Sequence, residues 1–588
     1  MTATTPDAAA APSAPDWPHC GRGTDSIGCR GRRVDPYAEC LAHLGAADRS
    51  AYLTGLHPGA DLDHRGTPFT EELLRELLAA FRDPATGRTR LGSVWFHETR
   101  FSGDVSFHAV EFSGEARFSG AAFDGATRFS QASFGADVTF DGAEFGDDAY
   151  FSRAEFSSSV WFNGARFRGG AKFDRAEFGG GAWFIVALFH DGAWFNGARF
   201  RGDARFEGVE IRHHAGFVGT VFERASEIGP LVCLGELDLS EAVFEAAVTI
   251  EAATATLLCR RTRWTSTAAL RLRYAAVDLG DAVLEYPVSI AARSRPFTMY
   301  GVEELPEQDL TDPRVRIMSL RGVDAAHLVL TDVDLTHTLF AGTIHLDQLR
   351  LEGLYALALT PTGLRRRGLR PVRWTPRRTL AEEHHWRAAR FAGAGGWAPA
   401  PDGEEVLEPA ALAPVYRQLR KSFEDGKHEP GAADFYYGEM EMRRHANDIP
   451  RSERILLTAY WALSGYGLRA SRALGWLMLA MTVTVLVMML WGLPKDDPKP
   501  LSTGTFDGRR ITMTTTTPDP VNPDGPFRER LSTQRFEKSL RVVINSVVFR
   551  SSGQSLTTVG TYSEMASRFG EPVLLGLAAL AVRGRVKR

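Results

Sequence analysis

The chain has 588 residues, more than a single folding unit of ordinary size. Its 72 acidic and 68 basic side chains leave a formal net charge of −4, which excludes the global basic field of a charge-driven nucleic-acid binder. Five cysteines in this length exclude a disulfide framework.

Residues 1–15, rich in Ala, Pro and Thr, read as disordered. They have no basic start and no apolar core, so the sequence gives no secretory signal and the N-terminal half is expected in the cytoplasm. Residues 16–90 form a helical cap that contains Cys20, Cys29, Cys40 and His43. Cys40-Leu41-Ala42-His43 has C-x-x-H spacing, and three thiolates with one imidazole complete a tetrahedral structural zinc site. The competing reading is solvent-facing thiols and an unrelated histidine, because the Cys20–Cys29 gap exceeds the usual two to four residues. Four protein ligands leave no open position, so this site is not expected to be catalytic. A helix is expected from a Thr67 N-cap and Pro68 at its first position, with Leu73, Leu74, Leu77, Leu78 and Phe81 on one face. That face is expected to cover the open first edge of the repeat region beginning near residue 91.

Between Phe96 and Phe222, Phe recurs at alternating steps of five and six residues. Of 24 such positions 23 are Phe and one is Ile211, and Ala, Val or Thr stands two residues before every one. A helix with about 100° per residue would split these positions into two separated stripes, and its interior glycines would cost roughly 0.5–1 kcal/mol each. Steps of five and six also switch parity, so one long alternating strand fails. A coil of short flat faces fits: each face sends one ring and one small side chain inward, and glycine and polar residues take the corners. Four faces per coil make about six coils, a rod roughly 29 Å long at about 4.8 Å per coil.

Units such as Asn196-Gly197-Ala198-Arg199-Phe200 and Asp141-Gly142-Ala143-Glu144-Phe145 resemble the pentapeptide-repeat family, in a Phe-rich variant of five plus six residues and a membrane-anchored, actinobacterial-type form. The resemblance implies a mainly β fold, a right-handed quadrilateral β-helix, over residues 91–228. The sixth residue departs from the strict repeat and implies one bulged corner per pair. From 229 to 360 the period loosens (Leu239, Phe244 and Ile250, then Leu279, Leu284 and Ile290, then Leu330, Leu335 and Phe340). It reads as a degenerate continuation or as a separate small β domain.

Residues 361–413 form a basic linker, with Arg365, Arg366, Arg367, Arg370, Arg373, Arg377 and Arg378 around Trp374. It reads as a solvated segment or as one that contacts anionic lipid or nucleic acid. Glu382, Glu383, His384 and His385 are a poor metal set, because adjacent histidines on a helix diverge. Residues 414–470 hold a helical neck: a hairpin turning at Asp425-Gly426-Lys427, similar to one tetratricopeptide-like unit, then an interfacial helix with Tyr460, Trp461 and Tyr466.

Residues 473–493 carry no charge and read as a transmembrane helix with Trp476 and Trp491 near its ends. Arg469 and Arg472 precede it, which places its N-terminal side in the cytoplasm. Residues 494–535 read as an extracytoplasmic loop. Within 536–588, Phe569 to Val582 is apolar except for Glu571 and reads as a short, half-spanning segment before a basic cytoplasmic tail. Thr558, Val559 and Gly560 resemble the filter loop of two-helix potassium channels, although Thr561, Tyr562 and Ser563 depart from it and Arg550 falls in the implied pore helix.

These features point to a membrane-anchored scaffold whose rod meets a protein partner, with no nucleic acid expected. The alternatives are a channel-derived protein, which needs a homo-oligomer to enclose a pore, and a membrane-associated oxidoreductase. The family's topoisomerase-protecting members imply DNA mimicry, yet residues 96–222 hold only 17 acidic against 12 basic side chains. No dinucleotide fingerprint and no nucleophile–base constellation stands out, and zinc is the only cofactor implied.

Overall fold

Each inward Phe ends a two-residue strand or directly follows one, and four strands close a coil. Glu144–Phe145, Ala149–Tyr150, Glu155–Phe156 and Val160–Trp161 are the four sides of one. Each side pairs in parallel with the residue 22 positions on: Glu144 with Arg166, Ala149 with Ala171, Glu155 with Glu177, Val160 with Ala182. The structure is a computed structural model that describes residues 14–23, 28–299, 303–363, 365–367, 370–372, 374–391, 396–496, 498–548 and 551–586. All but Ala14 and Pro15 of the segment expected to be disordered lies outside these residues. The described chain falls into two units, Met1–Leu407 and Glu408–Arg588, and each is taken by itself.

In the first unit the Phe rings stack in four columns. Phe145 lies on Phe167 at 4.6 Å and 1°, and Phe178 on Phe200 at 4.5 Å and 3°. Rings of opposite columns meet edge to face across the coil, as Phe162 and Phe173 do at 5.4 Å and 83°. Every Phe of the period is at most 2% exposed, and the small residues two positions before fill the space beside the rings. Ring edges therefore meet ring faces between columns, an arrangement favoured by the aromatic quadrupole.

The corners explain the alternating step. Residues 98, 109, 120, 131, 142, 153, 164, 175, 186, 197, 208 and 219 all have positive φ. Each stands two residues after a Phe whose carbonyl accepts from the third residue on, as Ala143 N–H donates to Phe140 O at 2.9 Å. This is the type II turn, which needs a left-handed residue at its third position. The left-handed corner lies in every five-residue step, and the six-residue steps turn with an extra residue.

After Phe222 the same stack continues through Phe244 to Trp264, with rings at 5.0 and 4.2 Å. The ladder shortens there to 20 residues per coil: Val243 pairs with Arg263, and Arg263 with Val283. Parallel pairing runs on to Asp334–Leu335 against Ala356–Leu359, in the sheet that holds the regular coils.

Both ends of this ladder are covered. At the start, Leu62–Asp63 pairs with Val94–Trp95, and Pro68–Thr70 pairs with Arg100–Ser102. Helices α1 (Ala46–Thr54) and α2 (Glu71–Ala80) belong to this cap. The expected Thr67 N-cap is displaced: Pro68 is in a strand, and Thr70 caps α2 by accepting from Leu73 N–H at 3.2 Å. At the other end α3 (Ala381–Phe391) places the Glu382 carboxylate on the free N–H groups of Phe340 and Ala341, at 2.6 and 2.9 Å.

The second unit is helical. Helices α4 (Pro409–Asp425) and α5 (Glu429–His445) form the hairpin, with Phe423 stacked on Phe435 and Gly438 under the Tyr416 ring. Helix α6 (Arg451–Ser464) leads to α7 (Ala470–Val487), which continues as a π-turn over Met488–Gly492. A hairpin of Leu501–Asp507 and Arg510–Thr516 lies in the segment expected to be a plain loop. Next in the chain come α8 (Phe527–Arg530), α9 (Thr533–Val547) and α10 (Thr558–Val586). The half-spanning segment expected at 569–582 is thus part of a 29-residue helix.

Candidate functional site

Cys20, Cys29, Cys40 and His43 converge. Their four donor atoms lie within 4.8 Å of one another, so this cluster could hold a metal ion. Cys29 Sγ is 3.7 Å from Cys40 Sγ, while His43 Nδ1 is 3.3 Å from Cys40 Sγ and 3.5 Å from Cys20 Sγ. The long Cys20–Cys29 gap closes because the backbone folds back on itself: Gly21 N–H donates to Cys29 O, and Cys20 N–H to Gly31 O. Gly31 is required there, since a Cβ on it would lie 2.8 Å from that of Cys40. A single 3-10 turn, Leu41–His43, brings the imidazole back over Cys40. The Cys40 hydrogen bond holds the Cys29 thiol down at about 5, and the same bond, with burial, pushes Cys40 up. Cys233 and Cys259 are buried inside the coils, away from this cluster, where burial raises both thiols.

The other acid–histidine run does structural work. Besides Glu382 at the end of the ladder, Glu383 accepts from both Arg377 and Arg387 in a fully buried triad. Arg377 is therefore not a free cation of the basic linker. His384 Nε2 is 2.9 Å from Thr379 Oγ1, its ring lies against Trp397, and burial lowers its pKa to about 4. Arg373 lies outside the described residues, as does Arg550.

The coil interior offers no chemistry, so the outer faces carry what the first unit presents. Glu155, Glu177 and Arg199 succeed one another down one face. Trp161 and Trp183 stack at 4.9 Å on the next, with Gly181 leaving room beneath the Trp183 ring. On the face opposite, Lys172 Nζ sits 4.6 Å over the Tyr150 ring and 3.1 Å from Asp148.

Thr558, Val559 and Gly560 are not an extended loop. They form the first turn of α10, and Gly560 packs directly on the backbone of Gly492. Thr557, the residue before them, donates through its hydroxyl to Trp491 O at 2.7 Å. Sequence reasoning missed how the end of α7 is held. Arg535 donates to the carbonyls of Met489, Leu493 and Pro494, and Arg530 to that of Leu490. These are the orphan carbonyls of a helix end, satisfied by two guanidinium groups. Two helical stretches, Ala470–Gly492 and Thr558–Arg583, are long and apolar enough to cross a membrane.

No curated protein and no solved structure matches this chain. The family model for pentapeptide repeats matches in nine copies, over stretches that include 87–133, 110–155, 129–177, 151–199 and 162–210. With four stacked Phe columns and a ladder of 22 residues per coil over the same stretch, the chain is a pentapeptide-repeat protein, carrying that family's solenoid in its N-terminal unit.

Proposed function

We propose that this protein is a membrane-anchored scaffold: α7 and α10 cross the bilayer, and the solenoid offers its outer faces to a protein partner on the cytoplasmic side. The observation that carries the reading is the solid interior. Inward positions are Phe, Ala, Val and Thr with no room for a substrate, while outward positions vary from coil to coil without disturbing the ladder. Chemistry that varies only on the outside suits recognition. At about 1.5 Å per residue, the 26-residue stretch of α10 reaches about 39 Å, beyond the roughly 30 Å of a bilayer core. Arg469 and Arg472 at the start of α7 and the basic run from Arg583 at the end of α10 favour cytoplasmic ends.

The Cys/His cluster serves this scaffold as a structural zinc site. Zn–S bonds of about 2.3 Å and Zn–N bonds of about 2.0 Å in a tetrahedron set S···S near 3.8 Å and S···N near 3.5 Å. The distances of 3.7, 3.5 and 3.3 Å match that set. Zinc would tie Cys20 and Cys29 to the turn after Cys40, in a cap segment with little core of its own. Its chemistry is Lewis-acid cross-linking of the chain, with the thiols held as thiolates.

An ion-conducting pore is the competing use of the C-terminal helices. It needs stacked free carbonyls, and the helical Thr558–Gly560 turn does not offer them. Photoreactive residues placed at Glu177 and at Trp183 in membrane-bound protein test the scaffold reading. Discrete adducts from one of these two faces support it; absence of adducts from both refutes it.

A further inference from the structure

Glu571 lies near the middle of the second apolar helical stretch and is 1% exposed. Its Oε1 is 3.1 Å from Thr484 Oγ1 on α7. The same hydroxyl is 2.9 Å from Ala480 O, the usual bond of a helical Thr to the carbonyl one turn back. A hydroxyl has one proton, and a carbonyl can only accept. That single proton serves only one of the two acceptors at a time; with it on Ala480 O, the contact with Glu571 is made by a carboxyl proton donated to Thr484 Oγ1. The second oxygen, Oε2, is buried with no hydrogen-bond partner among the described residues. An ionised oxygen so placed would carry a desolvation cost that a neutral carbonyl oxygen largely avoids.

The surrounding charges do not replace that proton. Helix α7 has no charged side chain between Arg472, which donates to Trp461 O, and Lys495 beyond its end. On α9, Arg535 is committed to three carbonyls, and Glu537, Lys538 and Arg541 are its other charges. On α10, Glu564 accepts from Ser552 N–H, and Arg568, Arg583 and Arg585 are the cations. On α6, Glu453 pairs with Arg443, Arg454 donates to Ala446 O, and Arg451 stands at the helix start. Among the described residues, none of these forms an ion pair with Glu571. A groove lined by Trp476, Leu479 and Val483 of α7 and by Gly570 and Leu574 of α10 reaches the carboxyl.

We propose that Glu571 is a proton-binding site within the membrane, protonated at neutral pH and reached through the apolar groove between α7 and α10. The proposal rests on the reading of both helices as spans. The probe is dicyclohexylcarbodiimide, which reacts with the acid form in apolar surroundings. The carboxyl proton moves to one carbodiimide nitrogen and a carboxyl oxygen bonds to the central carbon. The acyl group then migrates to nitrogen as a stable N-acylurea; nothing leaves and nothing is oxidised.

The full chain in phosphatidylcholine–phosphatidylglycerol vesicles at pH 7 is treated and mapped by peptide mass spectrometry. Glu571 is expected to carry the dominant adduct, and Glu571→Gln to lose it. Infrared spectra of the untreated vesicles are expected to show a protonated-acid carbonyl band that E571Q lacks, a readout that needs no labelling. Protein that stays in the vesicles through alkaline carbonate, yet shows neither the adduct nor the band, overturns the proposal. Release by carbonate overturns the anchor and this site with it.

Discussion

Phe173→Ala tests whether the rings are a load shared along the coil or a local filling. Phe173 is fully buried, stacked on Phe151 and Phe195 at 4.8 Å each, and edge-on to Phe162 at 5.4 Å and Phe184 at 5.6 Å. Truncation removes a ring from four close aromatic contacts at once. The parallel ladders on all four sides fix the backbone, so the cavity cannot close. Both features place the cost at the upper end for Phe→Ala, about 4–5 kcal/mol. Amide hydrogen exchange read by mass spectrometry resolves it by coil. Protection of amides between Phe151 and Phe195 should fall by about three decades, since about 1.4 kcal/mol is a factor of ten. Glu155→Ala, an exposed outward change in the same coils, should stay within about 0.5 kcal/mol. Equal protection in F173A and wild type would refute the stacked-column account.

Protein purified without chelator should contain one zinc per chain by elemental analysis, and Cys40→Ser should lose it and lower the cap's melting temperature; full metal content in that variant contradicts the site. His64 is fully buried, its Nδ1 has no hydrogen-bond partner among the described residues, and burial lowers its pKa to about 4. The unfolded chain takes up that proton near pH 6.5 and the folded cap does not, so stability falls as pH drops from about 6.5 towards 4, by up to about 3 kcal/mol. A cap melting temperature that is flat over that range, or equally steep in His64→Phe, contradicts this. Val186 holds a left-handed corner at φ 52° that glycine takes at six corners of the same series. Val186→Gly should stabilise the solenoid by about 1 kcal/mol in chemical denaturation, and a loss of stability would show that the Val contacts outweigh the strain.

The regular solenoid is legible in the sequence because each inward position is one residue type at a fixed step. Ile211 breaks the Phe series yet keeps its place in the ladder, between Phe189 and Cys233. Phe69 is not legible. It stacks on Phe101 at 5.5 Å, but α2 is inserted between them and the step of five or six disappears. The Cys/His cluster is legible as C-x-x-H plus two thiols, whereas the fold-back over Gly31 that joins Cys20 to Cys29 has no local signature. Helix α10 reads as short in sequence because its first half is polar. Two of those polar groups turn inward: Ser567 donates to Ser546 on α9, and Glu564 takes the Ser552 N–H. A hydropathy reading sees their composition and not their partners. Arg530 and Arg535 read as ordinary loop charges, since nothing in sequence links them to the carbonyls that end α7.

The most direct test of an anchored solenoid facing the cytoplasm is protease treatment of intact cells that make the full chain. The account predicts cleavage within the exposed hairpin of Leu501–Asp507 and Arg510–Thr516, with the whole solenoid protected until the cells are opened. Digestion of the solenoid from outside, with that hairpin spared, would contradict it.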